Sequence, residues 1–326
     1  MLHRQKKAAN LLYMMGDIGR FLMKLGDEIQ YGIVSLAEPA VVDIELVAKN
    51  EARSAVFLCH NSSVTLIAGS AISRADVGRR RRGETRAIRF RVPAVVLPMK
   101  TALIVGASGD IAVAMADKLS EEFEITRISS KADGGERCYP SDYSEDSLAE
   151  LAVTIEDRFD LVLICNGFLH DDVYMPEKSL RDLNAEQLQA SFTRNTITPA
   201  LVLKHFGKHL KKRQRAMCAV LSARVGSIED NQAGGWYGYR ASKAALNMIV
   251  RNAAIELGRG HRELIVVALH PGTTRSTLSE PFVSGDRGPR AVDPSETADR
   301  LIKVLSGLER EDNGGFFDWK GERLPW

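Results

Sequence analysis

The chain is predicted to be α/β, a doubly wound parallel sheet of seven strands with helices on both faces, spanning residues 99–326. Three observations predict it. Short apolar runs alternate with helical patterns of about ten to fifteen residues. The first apolar run leads directly into a glycine turn and then a helix, Gly106-Ala-Ser-Gly109-Asp-Ile-Ala112 and onward. Polar or glycine-bearing breaks close the runs, which is where a sheet of this kind collects its ligands.

Residues 1–98 do not share this alternation. From residue 5 to 25, Leu11, Leu12, Met15, Ile18, Leu22 and Leu25 recur by threes and fours, which predicts a helix. Val41–Val47 and Ala55–Leu58 are β-prone runs without clear turn punctuation. Arg79–Arg82, Arg86, Arg89 and Arg91 then lead to Pro93 and read as a solvated linker, the rival being a polyanion or membrane contact. Because Met99 stands directly before the first strand of the larger part, it is read as the natural start. Residues 1–98 are then an over-extended reading frame or a poorly ordered leader, not a stable domain.

The totals narrow the function classes. Apolar residues at 44% and charged residues at 26% of 326 describe a soluble globular protein. Residues 1–98 carry 15 Lys+Arg against 9 Asp+Glu, and the remainder 29 against 33, so the larger part offers no case for nucleic acid. No apolar run reaches the roughly 18 residues of a membrane span. Asp17 interrupts the basic start and no cleavage pattern follows, which argues against a targeting peptide. Cys59, Cys138, Cys165 and Cys218 are scattered and read as reduced thiols in the cytoplasm. Neither they nor His170, His205, His209 and His261 show a metal-ligand spacing, so no metal is expected.

Thr101–Val105 is the first strand of the larger part. Gly106 and Gly109 let the following turn bring backbone N–H groups and a helix N-terminus to a pyrophosphate. Glu124–Ser129 is the second strand. It ends in Ser129-Ser130-Lys131, without the carboxylate that would take a ribose 2′-hydroxyl and with a cation for a 2′-phosphate. NADP(H) is therefore expected in preference to NAD(H). Cys138–Pro140 is the third strand, Asp142 a turn residue, and Asp146–Phe159 a helix. Leu161–Cys165 is the fourth strand, closed by Asn166-Gly167.

Leu183–Lys212 is predicted largely helical, with Asn195 inside it and a local break near Pro199. Cys218–Ser222 is the fifth strand and runs into Ala223-Arg-Val-Gly226-Ser227. The next helix carries Tyr239 and Lys243, four apart and so on one face. A cation beside a phenol lowers its pKa from about 10, making Tyr239 a candidate proton donor near neutral pH. Leu264–Leu269 is the sixth strand and His270 its structural end, followed by Pro271-Gly272-Thr273-Thr274-Arg275-Ser276. A helix at Ser295–Leu308 and a strand at Phe316–Trp319 complete the count.

Taken in order, the glycine turn, Asn166-Gly167, Asn195, the serine-bearing strand end, Tyr-x-x-x-Lys and Pro-Gly resemble the short-chain dehydrogenase/reductase family, a Rossmann fold. The resemblance covers residues 99–326. Within the family the chain looks most like the C-factor and sniffer-type carbonyl reductases, on Gly167–His170, Pro176-Glu-Lys-Ser179, Gly226-Ser-Ile228, Gly234–Lys243 and Leu324-Pro-Trp326.

The resemblance implies roles for matching residues. Tyr239 would be the general acid that protonates a carbonyl oxygen. Lys243 would hold the nicotinamide ribose and lower the tyrosine pKa, and Asn195 would hold a relay water. Gly106, Ser108 and Ile111 match the phosphate turn. Asp142 would touch adenine, Asn166 and Gly167 would line the ribose, and Thr274 with Ser276 would meet the carboxamide and pyrophosphate. The family also implies a homodimer or homotetramer through its two long helices. Three departures stand out. Asp110 and Ala112 replace turn glycines, Cys165-Asn166-Gly167 shortens the usual Asn-Asn-Ala-Gly, and Ala223 occupies the catalytic serine position. Ser222 or Ser227 would have to supply the hydroxyl, and Ser222 is assigned. The expected function is NADPH-dependent reduction of a small aldehyde or ketone. The alternative is a weak or inactive dinucleotide-binding signalling or sensor protein on the same fold.

Overall fold

The computed structural model describes residues 99–131, 134–212, 214–283 and 291–326 in full, and of residues 1–98 the backbone of five strands. The chain divides into two compact units, Met1–Pro98 and Met99–Trp326. In the first, β1 (Ile29–Ile33), β2 (Val41–Ala48) and β5 (Arg86–Pro93) form an antiparallel sheet in the order β1-β2-β5, while β3 (Ala55–His60) pairs with β4 (Ser63–Ala68). The β-prone runs at 41–47 and 55–58 fall in β2 and β3. The helix expected over residues 5–25 and the run Arg79–Arg82 lie outside the described residues.

The second unit is built on β6 (Lys100–Val105), α1 (Asp110–Leu119), β7 (Phe123–Ser129), β8 (Cys138–Pro140), α2 (Glu145–Thr154) and β9 (Leu161–Ile164). It continues through α3 (Ala185–Phe192), α4 (Thr198–Phe206), β10 (Ala216–Leu221) and the 24-residue α5 (Tyr237–Gly260). β11 (Leu264–His270), α6 (Glu280–Val283), α7 (Pro294–Gly307) and β12 (Phe316–Asp318) complete it. The seven strands are all parallel, in the order β12-β11-β10-β9-β6-β7-β8. Strand order reverses between β6 and β9, the switch point at which such sheets open a crevice.

Strand alternation divides the apolar side chains between two faces. Leu103 and Val105 join Leu148 of α2, Phe206 of α4 and Leu246 and Val250 of α5 in one core. Ala102 and Ile104 join Met115 of α1 and Leu301 of α7 in the other. Burying each large aliphatic side chain contributes about 1.5–3 kcal/mol, so both faces hold the sheet rigid beneath the site.

Two helices end earlier or break more sharply than predicted. The helix expected to reach Phe159 stops at Thr154, with Ile155 already extended at φ −86°, ψ 96°. A β-branched run Val153-Thr154-Ile155 closes it. The backbone of Phe159 is taken instead by His209 and Lys211 in a parallel bridge with Leu210. The long helix expected over Leu183–Lys212 is α3 and α4 joined by a wide π turn, Thr193–Ile197. Pro199 has no N–H to give the Asn195 carbonyl four residues back, and the turn widens there.

Candidate active site

A cleft of about 530 Å³ opens at the carboxyl ends of β6, β9, β10 and β11. On its nucleotide side, Gly106 takes φ +77°, a left-handed conformation that suits glycine. A Cβ there would stand 2.9 Å from the Asn166 backbone nitrogen. The Gly106 and Ala107 N–H groups both donate to the Ile128 carbonyl at 3.0 and 3.1 Å, which ties the turn to the end of β7. Ser108, Gly109 and Ile111 line the cleft. Gly109 begins α1 without a side-chain cap, so the helix end is open to an anion.

Lys131 also lines this side, its N–H donating to the buried Ser129 hydroxyl at 3.1 Å, while Ser130 is exposed beside it. Asn166 and Gly167 face the cleft. The Asn166 Oδ1 is buried and has no protein donor. Asp142 is not in the lining. Its carboxylate accepts the Ser144 N–H at 2.8 Å, and this bonding to Ser144 holds its pKa below the usual carboxylate range. A dinucleotide fits this half in turn geometry and cation. The Asp110 carboxylate is discordant here, and Asp171 and Asp172 also line the cleft.

On the reaction side, Tyr239 and Lys243 project from one face of α5 into the same cleft. The environment of the phenol corrects one expectation. Burial pushes the Tyr239 hydroxyl up to about 12, and Lys243 does not offset it. Lys243 is 2% exposed and its Nζ donates to the Leu221 carbonyl at 2.9 Å. Burial lowers its own pKa to about 8, opposed by the Cys165 thiol nearby. The lysine is therefore anchored to the end of β10 and keeps its proton at neutral pH.

Asn195 is wholly buried and acts as a clamp. Its Oδ1 accepts the Phe168 N–H at 2.7 Å, and its Nδ2 donates to the Phe168 carbonyl at 2.8 Å and to Ser242 Oγ at 3.0 Å. The amide thus fixes the loop after β9 to α5, next to Lys243. Both Nδ2 hydrogens are used, so a relay water at this residue would have to donate to the second Oδ1 lone pair or to the backbone carbonyl, to which Pro199 has no N–H to give.

Ala223 is extended and 8% exposed. Ser222 lines the cleft, but its hydroxyl donates to Asn247 Oδ1 at 2.6 Å. Ser227 is farther removed, bonded to the Trp326 carbonyl at 3.2 Å and accepting the Asp230 N–H at 3.1 Å. Pro271 and Ser276 line the cleft, and Gly272 at φ +79° passes where a Cβ would meet Trp319 at 2.8 Å. The Thr274 side chain corrects a second expectation. It is buried and hydrogen-bonded to the Thr297 hydroxyl at 2.8 Å, which anchors the loop to α7 and turns it from the cleft. Thr277 and Leu278 take its place in the lining.

Other contributors escaped sequence reasoning. Cys165 and His170 line the cleft, and Cys165 occupies a position where the family pattern has asparagine. Burial pushes its thiol up to about 12. Arg240 donates to the Gly234, Gly235 and Val225 carbonyls and so holds the loop before α5. Its place directly after Tyr239 was the available signal. His270, expected to be structural, sits outside the lining, and burial lowers its pKa to about 4. Among the described residues no helix is long and apolar enough to cross a membrane.

Comparison with known proteins agrees with this geometry. The family described as enoyl-(acyl carrier protein) reductase matches residues 107–303. The C-signal protein of Myxococcus xanthus is 33% identical over 149 residues, covering 45% of this chain and 84% of that protein. The carbonyl reductase Sniffer of D. melanogaster superposes with a TM-score of 0.60 at 20% identity, covering 70% of this chain and all of that one. The NADPH-bound carbonyl reductase from chicken fatty liver gives 0.59 at 23% identity, covering 71% of this chain and all of that one. The two solved structures share the fold.

Proposed function

The chain belongs to the short-chain dehydrogenase/reductase family, and on that premise we propose that it is an NADP(H)-dependent reductase of a small aldehyde or ketone. The observation that carries the reading is the meeting of Tyr239 and Lys243 with Ser108 and Gly109 of the phosphate turn and with Asn166 and Gly167 in one cleft. A bound NADPH would supply the hydride. Tyr239, kept protonated by its burial, gives its proton to the substrate oxygen. Lys243, anchored on the Leu221 carbonyl, would place a positive charge at the ribose position. Lys131 would pair with the 2′-phosphate, and no carboxylate at the end of β7 opposes it.

Tyr239→Phe should retain NADPH binding and lose nearly all turnover in a steady-state assay against a carbonyl panel. Retained turnover would remove Tyr239 from the mechanism. Calorimetric titration should show NADPH bound more tightly than NADH, and the reverse order would end the Lys131 assignment. We expect a cytoplasmic protein that pairs as a homodimer or homotetramer through the helical segment carrying Asn195 and through α5; light scattering would read the oligomer.

A second reading is favoured by Ala223 and by the Ser222 hydroxyl held on Asn247. On it the chain binds the nucleotide as a signalling or sensor protein and turns over little. It predicts tight NADPH binding with no reduction across the panel.

A further inference from the structure

The mouth of the cleft is bridged from both walls to one segment, residues 274–282. On the phosphate-turn side, Asp110 Oδ2 accepts the Thr277 N–H at 2.9 Å and the Thr277 hydroxyl at 3.3 Å, joining positions 167 residues apart. On the other wall, His170 Nε2 meets the Leu278 carbonyl at 3.1 Å, and the carbonyl makes the imidazole the donor. The His170 ring also packs edge-on against Phe282, with centroids 5.5 Å apart. Between these ties the segment braces itself. The Ser276 N–H donates to Ser279 Oγ, the Ser279 N–H to Ser276 Oγ, and the Ser279 hydroxyl to the Thr274 carbonyl. It is a preformed strap fastened at two points.

Asp110 is the first residue of α1, where the family's phosphate turn has a glycine. Three facts meet at that position. The N-terminus of the helix carries partial positive charge and is the natural seat of a pyrophosphate. Gly109 leaves that end without a side-chain cap. The one carboxylate in the first turn is an exposed side chain that also lines the cleft. A carboxylate there offsets the helix charge and repels the phosphates, while it takes two Thr277 donors that an anionic ligand oxygen would otherwise accept.

We propose that Asp110 sets nucleotide affinity and exchange in this cleft, through its charge beside the pyrophosphate position and its tie to Thr277. The proposal rests on the cleft being the nucleotide site. Charge and tie can be separated by substitution. Asp110→Asn keeps an acceptor for Thr277 and removes the charge, and Asp110→Ala removes both. Asp110 is exposed, so neither change disturbs the core.

The test measures NADPH binding by stopped-flow fluorescence, and hydrogen exchange at the Thr277 amide of the full chain without nucleotide. Asp110→Asn should tighten NADPH binding roughly fivefold or more, the effect of removing one like charge a few ångströms away, with Thr277 exchange unchanged. Asp110→Ala should also bind more tightly, with association and dissociation both faster and Thr277 exchange accelerated at least about tenfold, as for an amide that loses its acceptor. Unchanged affinity in both variants overturns the charge role. Unchanged Thr277 exchange in Asp110→Ala overturns the tie. If neither the parent chain nor a variant binds NADPH, the nucleotide reading falls and the affinity role with it, while the exchange result still decides the tie.

Discussion

Ala223 and Lys243 show how single side chains set the chemistry this cleft can do. At Ala223 the backbone is extended and the side chain buried directly beside Ser222 of the cleft lining, and a serine there adds a single oxygen. Loss of one donor at a developing oxyanion costs about 10²–10³ in rate. Ala223→Ser is therefore expected to raise kcat by about tenfold or more, measured at saturating NADPH. No gain would mean that the Ser222 hydroxyl, released from Asn247 in the loaded enzyme, already serves. Lys243 yields a prediction on stability. Its pKa in the fold is about 8 against the ordinary 10.5, so between those values the unfolded chain binds more protons. Stability must then rise with pH from about 8 to about 10.5 and be lost again as pH falls through 8. Urea midpoints at pH 7.5 and 9.5 should show this rise in the parent chain and a smaller one in Lys243→Met. Equal slopes would place the lysine in contact with water.

Among the elements, α5 is fixed from three directions, and each contact bears on Tyr239 or Lys243. Gly226 meets it most closely. A Cβ there would lie 2.8 Å from Lys243 Cβ and 2.9 Å from its carbonyl carbon, both too close to remain. Gly226→Ala should cost about 1–3 kcal/mol as overpacking and reduce kcat through displacement of Lys243. A denaturant melt and a turnover assay would read the two effects together, and retention of both would mean that the Arg224–Gly226 turn yields instead. Asn195 holds the helix at Ser242 and Glu177 holds its start, accepting the Gly238 N–H at 3.1 Å. The helix was legible beforehand because Tyr239, Lys243 and the apolar positions behind them repeat with helical spacing. The π turn at Thr193–Ile197 was not, because Pro199 announces a break without saying whether the chain stops or widens. Nor was the early end of α2, which depends on Phe159 finding a partner 51 residues on, at Leu210.

At the scale of the molecule, the sheet order and the cleft follow from alternating periods along the chain, and those are local. What returns to the cleft from elsewhere is nonlocal. Thr274 stands in the expected motif, yet its hydroxyl goes to Thr297 on α7, and Thr277 reaches Asp110 across the site. No period in the sequence encodes that exchange. Among the described residues, both cores and the cleft are built by the unit Met99–Trp326. Both faces of its sheet are covered by its own helices, the layered arrangement of a domain with its own core. A chain beginning at Met99 is accordingly expected to unfold in one cooperative transition, to bind NADPH with the affinity of the full protein, and to keep its kcat within about twofold, a difference of roughly 0.4 kcal/mol. Parallel calorimetric titration and turnover of the two chains would check this. A loss of tenfold or more on removing residues 1–98 would assign that unit a part in the reaction, which the placement of the catalytic side chains does not require.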